Sequence, residues 1–134
     1  MSDVLKGYLW VALGSALGGV ARHWVSAVLA ARLGKGFPWH TVFVNVSGSF
    51  VIGCLAALIS VEGKVAVPLR PVVLQFLMVG ICGGYTTFSS FSLQTLNLLQ
   101  EGAWLSAAAN VVASVLVCLF AVWAGFSIGQ ILNR

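Results

Sequence analysis

The chain has 134 residues, 60% of them apolar and only 7% charged, against about 25% charged in soluble domains. That composition cannot build a charged outer shell, so a water-soluble globule is excluded and the class is a polytopic membrane protein. The formal charge of +4 comes from basic residues scattered over loops and ends, which reads as topology charge and not as a nucleic-acid surface.

Four apolar segments are predicted to span the lipid bilayer as helices, at about residues 8–31, 41–61, 71–99 and 104–132. Each meets the roughly 20 residues that a helical span requires. The connections are short and hold most of the charge, so the whole of 1–134 reads as one four-helix transmembrane domain. The first segment is too long, and too directly followed by further spans, for a cleaved signal peptide. Four helices enclose little space, so an oligomer is expected, most simply a dimer. Lys6, Lys64, Arg70 and Arg134 fall on the side of the termini, against Arg32 and Lys35 on the other. That small excess sets the termini inside, or else the chain inserts both ways.

The first span carries a small-residue stripe, Gly14, Gly18 and Arg22, with Ser15 and Gly19 beside it. Small residues four apart allow close helix approach. Arg22, well inside the span, either snorkels to the interface or lends positive potential to a vestibule. The second span places Thr41, Asn45, Ser49 and Gly53 on one face, with Gly48 alongside. An amide is costly to bury, so Asn45 must find a partner; the hydroxyls serve either as helix-to-helix glue or as donors to an anion.

The third span is interrupted by a polar, glycine-rich run, Gly83-Gly84-Tyr85-Thr86-Thr87-Phe88-Ser89-Ser90-Phe91-Ser92. Unwound backbone survives at membrane depth only where protein or a wet cavity satisfies it, and such breaks tend to be ion or substrate sites. Carbonyls freed around Gly83 to Thr86 are hard oxygen ligands suited to an alkali cation such as sodium, with a water-filled kink as the alternative. Phe88 and Phe91 share a helical face among hydroxyls; their positive ring edges can touch a small anion weakly, and conduction needs weak binding. The fourth span has Ser106, Asn110, Ser114 and Cys118 on one face. Cys54, Cys82 and Cys118 lie at apolar positions without metal-type spacing and read as small hydrophobes.

Asp3, Glu62 and Glu101 all lie outside the apolar cores, whereas proton-coupled exchange usually requires a carboxylate within the membrane. His23 and His40 are isolated from each other and from any acid. An enzyme is therefore not expected, and a passive conduit fits better than a pump.

Taken together, Gly14 to Arg22, Thr-Val-Phe-Val-Asn-Val-Ser-Gly at 41–48 and the run at 83–92 resemble the CrcB/Fluc family of small fluoride channels over essentially the whole chain. The resemblance implies an all-α membrane protein with its third helix broken near the middle, assembling as an antiparallel, dual-topology homodimer. It also implies a multi-pass place in the bacterial inner membrane, passive export of fluoride that lowers its cytoplasmic concentration, and a structural sodium ion at the dimer centre. On this resemblance the backbone carbonyls of Gly83 and Thr86 from both subunits hold the sodium. Phe88, Phe91, Asn45 and Ser114 line the fluoride pathway, with Thr41, Thr87, Ser90 and Asn110 as further candidates, and Arg22 borders the vestibule. Gln94 stands where relatives often carry a glutamate. The alternatives are a small dual-topology multidrug exporter and a non-conducting membrane assembly protein, neither of which accounts for both the acid-free spans and the run at 83–92.

Overall fold

The computed structural model describes residues 2–34, 36–60 and 65–133, and these are helical with no strand. Lys35, Lys64 and Arg134, used above for topology, Glu62 among the acids, and Val61 at the end of the second expected span lie outside the described residues.

Helix α1 (Asp3–Leu33) starts where the Ser2 hydroxyl accepts the Leu5 N–H, and has Asp3 in its first turn and Arg32 in its last. Both charges suit the helix dipole. Helix α2 (Trp39–Leu58) follows Pro38. The third span has two parts. Helix α3 (70–85) comprises Arg70–Val72, Val73–Cys82 and Gly83–Tyr85. Its central stretch is wound with bonds to the fifth residue back, and Gly83 N–H still reaches the Met78 carbonyl in this way. Such widened turns frequently accompany functional sites. Helix α4 (Phe88–Gln100) completes the span, and α5 (Trp104–Asn133) returns across. Counting α3 and α4 as one, four helical stretches are long and apolar enough to cross a membrane, and the third is the broken one.

The polarity of the surface is that of a membrane protein. Leu105, Leu116, Phe120 and Trp123 stand outward on α5, while the buried positions of that helix are Ala107, Asn110, Ser114, Ala121, Gly125 and Gly129. Small residues face protein because lipid is already as apolar as leucine, so association rests on close packing instead. α2 packs mainly on α5, and α1 mainly on α3. At the first crossing, a Cβ on Gly53 would strike the Val122 carbonyl, and one on Gly125 the Phe50 carbonyl. At the second, Gly14 lies against Gly80, whose Cα would sit 2.8 Å from a Gly14 Cβ. The glycine stripe of the first span is thus a packing face.

These crossings give the first prediction. Gly125→Val is expected to destabilise the fold by about 2 kcal/mol or more, the upper range for overpacking, because backbone and not a flexible side chain must move. Gly19→Ala is the control: its new Cβ meets nothing within 4 Å, so it should be neutral. Thermal loss of monodispersity in detergent separates the two, and equal behaviour would refute this account of the α2–α5 crossing.

Candidate functional site

The chain leaves helical geometry at Thr86 (φ −80°, ψ 158°) and Thr87 (φ −152°, ψ 114°), two extended residues between α3 and α4. In a continuous helix the Gly83 carbonyl would accept the Thr87 N–H, and the Thr86 carbonyl the Ser90 N–H. Both donors are engaged elsewhere. Thr87 N–H donates to Asn45 Oδ1 at 2.7 Å, and Ser90 N–H donates to Thr87 Oγ1 at 3.2 Å. Asn45 Nδ2 in turn donates to the Thr87 carbonyl at 3.0 Å. One side chain of α2 therefore satisfies both backbone groups of Thr87, which is how the break survives at this depth.

Thr87 also caps α4 through its hydroxyl, which accepts from Ser90 N–H and lies 3.1 Å from Ser90 Oγ and 3.2 Å from Ser89 Oγ. Thr86 is held differently. Its hydroxyl donates to the Cys82 carbonyl at 2.9 Å, and its methyl lies where a Cβ on Gly48 would be. With the side chain so occupied, the carbonyl is what Thr86 offers. The carbonyls of Gly83 and Thr86 have thus lost their helical donors, and they are neutral, hard oxygens of the kind that fits a desolvated sodium ion. The break also joins opposite helix ends. The C-terminal end of α3 is partially negative and the N-terminal end of α4 partially positive, an arrangement that serves cations and anions respectively in discontinuous membrane helices.

Beside the break lies a cavity of about 510 Å³, lined by Asn45, Gly83, Thr86, Thr87, Phe88, Phe91 and Ser114 and by apolar residues of α5 such as Val115 and Leu119. The two phenyl rings are 5.2 Å apart between centroids and tilted by 53°. They are not equivalent, since Phe88 is 77% exposed on the subunit surface and Phe91 only 8%. The cavity therefore meets the outer face of the subunit at Phe88 and Gly83.

Not every residue marked by spacing lines this cavity. Thr41 is buried at the start of α2, and Ser90 is drawn onto the Thr87 hydroxyl. Asn110 is 1% exposed and bridges helices: its Nδ2 donates to Thr95 Oγ1 at 2.9 Å, and its Oδ1 accepts from the Ser114 hydroxyl at 3.4 Å. Thr95 Oγ1 donates to the Phe91 carbonyl at 2.8 Å. The polar chain Ser114–Asn110–Thr95 thus runs from the cavity wall to the backbone of the inner phenylalanine. Arg22 is half-buried on α1, on the face of Gly14 and Gly18 and outside the cavity.

The sequence reading passed over Thr95, and gave no role to Tyr85, whose hydroxyl lies 3.1 Å from Ser47 Oγ. The available signal was their polarity on otherwise apolar faces. It also left unpaired His40 and Gln94, whose Nε2 atoms lie 3.2 Å apart across 54 residues of sequence.

Residues 9–126 match the profile of the family described as CrcB-like protein, Camphor Resistance (CrcB). The chain is similar to a fluoride-specific ion channel FluC of Paramagnetospirillum magneticum, with 56% identity over 127 residues covering 95% of this chain and 98% of the relative. It is also similar to proteins of the same description from Rhodospirillum rubrum (55% identity, 95% and 97% covered) and Methylocella silvestris (50% identity, 95% and 95% covered).

Proposed function

Because this chain belongs to the CrcB-like family, we propose that it is a fluoride-selective channel that lets fluoride leave the bacterial cytoplasm passively across the inner membrane, lowering its concentration inside. The observation that carries the reading is the shared cavity, where Asn45, the paired rings of Phe88 and Phe91, the Ser114 hydroxyl and the N-terminus of α4 converge. Fluoride is small and strongly hydrated, so its passage calls for several weak donors in a narrow path in place of one strong countercharge. Hydroxyls and ring edges are such donors. Inside the narrow path a fixed full charge would trap the ion, and binding there must stay weak enough for it to leave. Of the wider set of pathway candidates, Thr87 borders the cavity, whereas Thr41, Ser90 and Asn110 would act along the path outside it and Arg22 would add positive potential at a vestibule.

The working unit is an antiparallel homodimer. In support, the cavity opens on the outer face of one subunit, and Phe88, on that face, needs a second wall to confine an ion. Two-fold symmetry would double the pair of carbonyls from Gly83 and Thr86 and surround a central sodium ion. Bound there, sodium would neutralise the carbonyl dipoles and tie the two breaks together; the chain's own part is to hold those carbonyls in place through Asn45 and the Thr87 cap.

Fluoride efflux from liposomes of purified protein, followed with a fluoride electrode and with chloride-loaded controls, tests this reading. Fast fluoride efflux without chloride efflux is expected, whereas no efflux from a folded dimeric sample in sodium would overturn it. Stringent removal of sodium is expected to stop most of the flux although sodium itself is not carried. Unchanged flux after removal would reject the structural ion.

A further inference from the structure

His40 and Gln94 face each other at the end of the bundle where α1 ends and α2 begins. They border a second cavity, of about 360 Å³, with Ala30, Gly36, Pro38, Asn97 and Glu101 among its lining. Gln94 lies three residues beyond Phe91 on α4, and His40 five before Asn45 on α2. The pair therefore stands between the first cavity and the loop end.

Their contact is Nε2 to Nε2 at 3.2 Å, while the other polar atom of each, His40 Nδ1 and Gln94 Oε1, is buried without a hydrogen-bond partner among the described residues. Two nitrogens can bond only if one accepts, and a carboxamide nitrogen cannot. With the carboxamide in this orientation, Nε2 of a neutral imidazole accepts from the Gln94 NH₂, and the ring hydrogen is on Nδ1. In this state the unpartnered atoms are one donor, the Nδ1–H, and one acceptor, the Gln94 oxygen. Taking up one proton from the aqueous side at Nε2 reverses the pairing. Nε2 becomes a donor, two N–H groups would collide, and the carboxamide turns so that its oxygen accepts. The unpartnered groups are then the Nδ1–H and the Gln94 NH₂, both donors, beside a full positive charge.

We propose that His40 and Gln94 form a proton-switched anion site at the loop-end mouth of the pathway, closed to anions when His40 is neutral and binding fluoride when it is protonated. This site rests on the channel reading only for the identity of its anion. Among the described residues lining the cavity, Glu101 is the other titratable group; it is exposed at the α4–α5 turn. Its charge opposes the anion and contributes no donor. α1 and its link to α2 contribute Ala30, Gly36 and Pro38, which carry no charge. Lys35, in the same link, lies outside the described residues.

Two readouts test the switch. The first is fluoride efflux at about pH 5.5 and about pH 8, either side of the range in which histidine changes charge, after subtracting protein-free liposomes through which hydrogen fluoride leaks. Efflux by the unmodified protein should be at least roughly threefold faster at the lower pH, and His40→Asn should remove the dependence. The second is NMR of histidine-labelled protein in detergent, simple to assign because there are only two histidines. Fluoride should move the His40 ring signals at the lower pH and not at the higher, and should leave those of His23 in place at both. Fluoride-insensitive His40 signals at the lower pH, or a pH dependence that survives His40→Asn, would overturn the site while leaving conduction intact. If flux is absent but the His40 signals respond only at the lower pH, the site stands and the channel reading fails.

Discussion

Replacing Phe88 by isoleucine is expected to slow fluoride efflux at least roughly a hundredfold, a barrier increase of about 2.7 kcal/mol, while the protein stays folded and dimeric. Isoleucine preserves apolar bulk and removes the positive ring edge, so the substitution separates ring chemistry from packing. Phe88 is the cleaner of the two phenylalanines because it is 77% exposed in the subunit and supports little of its interior. Phe91→Ile should slow efflux comparably but also cost stability, since that ring is buried and its backbone carbonyl takes the Thr95 hydroxyl. Efflux and thermal unfolding measured on both purified variants would resolve these effects. Normal flux in both would remove the rings from the pathway.

Asn45→Ala is expected to abolish conduction and to lower stability together. Its amide makes both bonds that satisfy the Thr87 backbone, at 2.7 and 3.0 Å. Without it, a buried N–H and a buried carbonyl lose their partners, at about 1–3 kcal/mol for each group left unsatisfied. The cheapest relief is for Thr87 N–H to return toward the Gly83 carbonyl, closing the break and withdrawing one of the two freed oxygens. Asn45→Asp retains the acceptor for Thr87 N–H but sets a second oxygen against the Thr87 carbonyl, so it should fall between alanine and the native residue in stability. Amide exchange at Thr87, read beside flux, reports the clamp directly. A fully conducting Asn45→Ala protein with protected Thr87 would show that the break stands without it.

Much of the fold was legible because lipid imposes simple demands. A span must be long, apolar and helical, and a polar glycine run within one must be a break. Periodicity likewise placed Asn45 on a polar face and Gly14 and Gly18 on a packing face, since residues four apart share a helix side. Periodicity is silent on what each face meets. Asn110 and Ser114 share the same stripe, yet Ser114 lines the cavity while Asn110 turns to Thr95 on α4. Phe88 and Phe91 share a face, yet one is outward and one is packed.

By itself the sequence determined the number of spans, the place of the break and the residue types gathered around it, because hydrophobic length and backbone hydrogen bonding are local properties of the chain. Only the tertiary structure decided which donor each freed group finds. It joined Thr87 to Asn45 across 42 residues and His40 to Gln94 across 54, and it diverted the donors that left the Gly83 and Thr86 carbonyls open. Buried polar groups must be satisfied by whatever the fold brings within about 3 Å, and that proximity is set by how helices cross, which no spacing along one helix records.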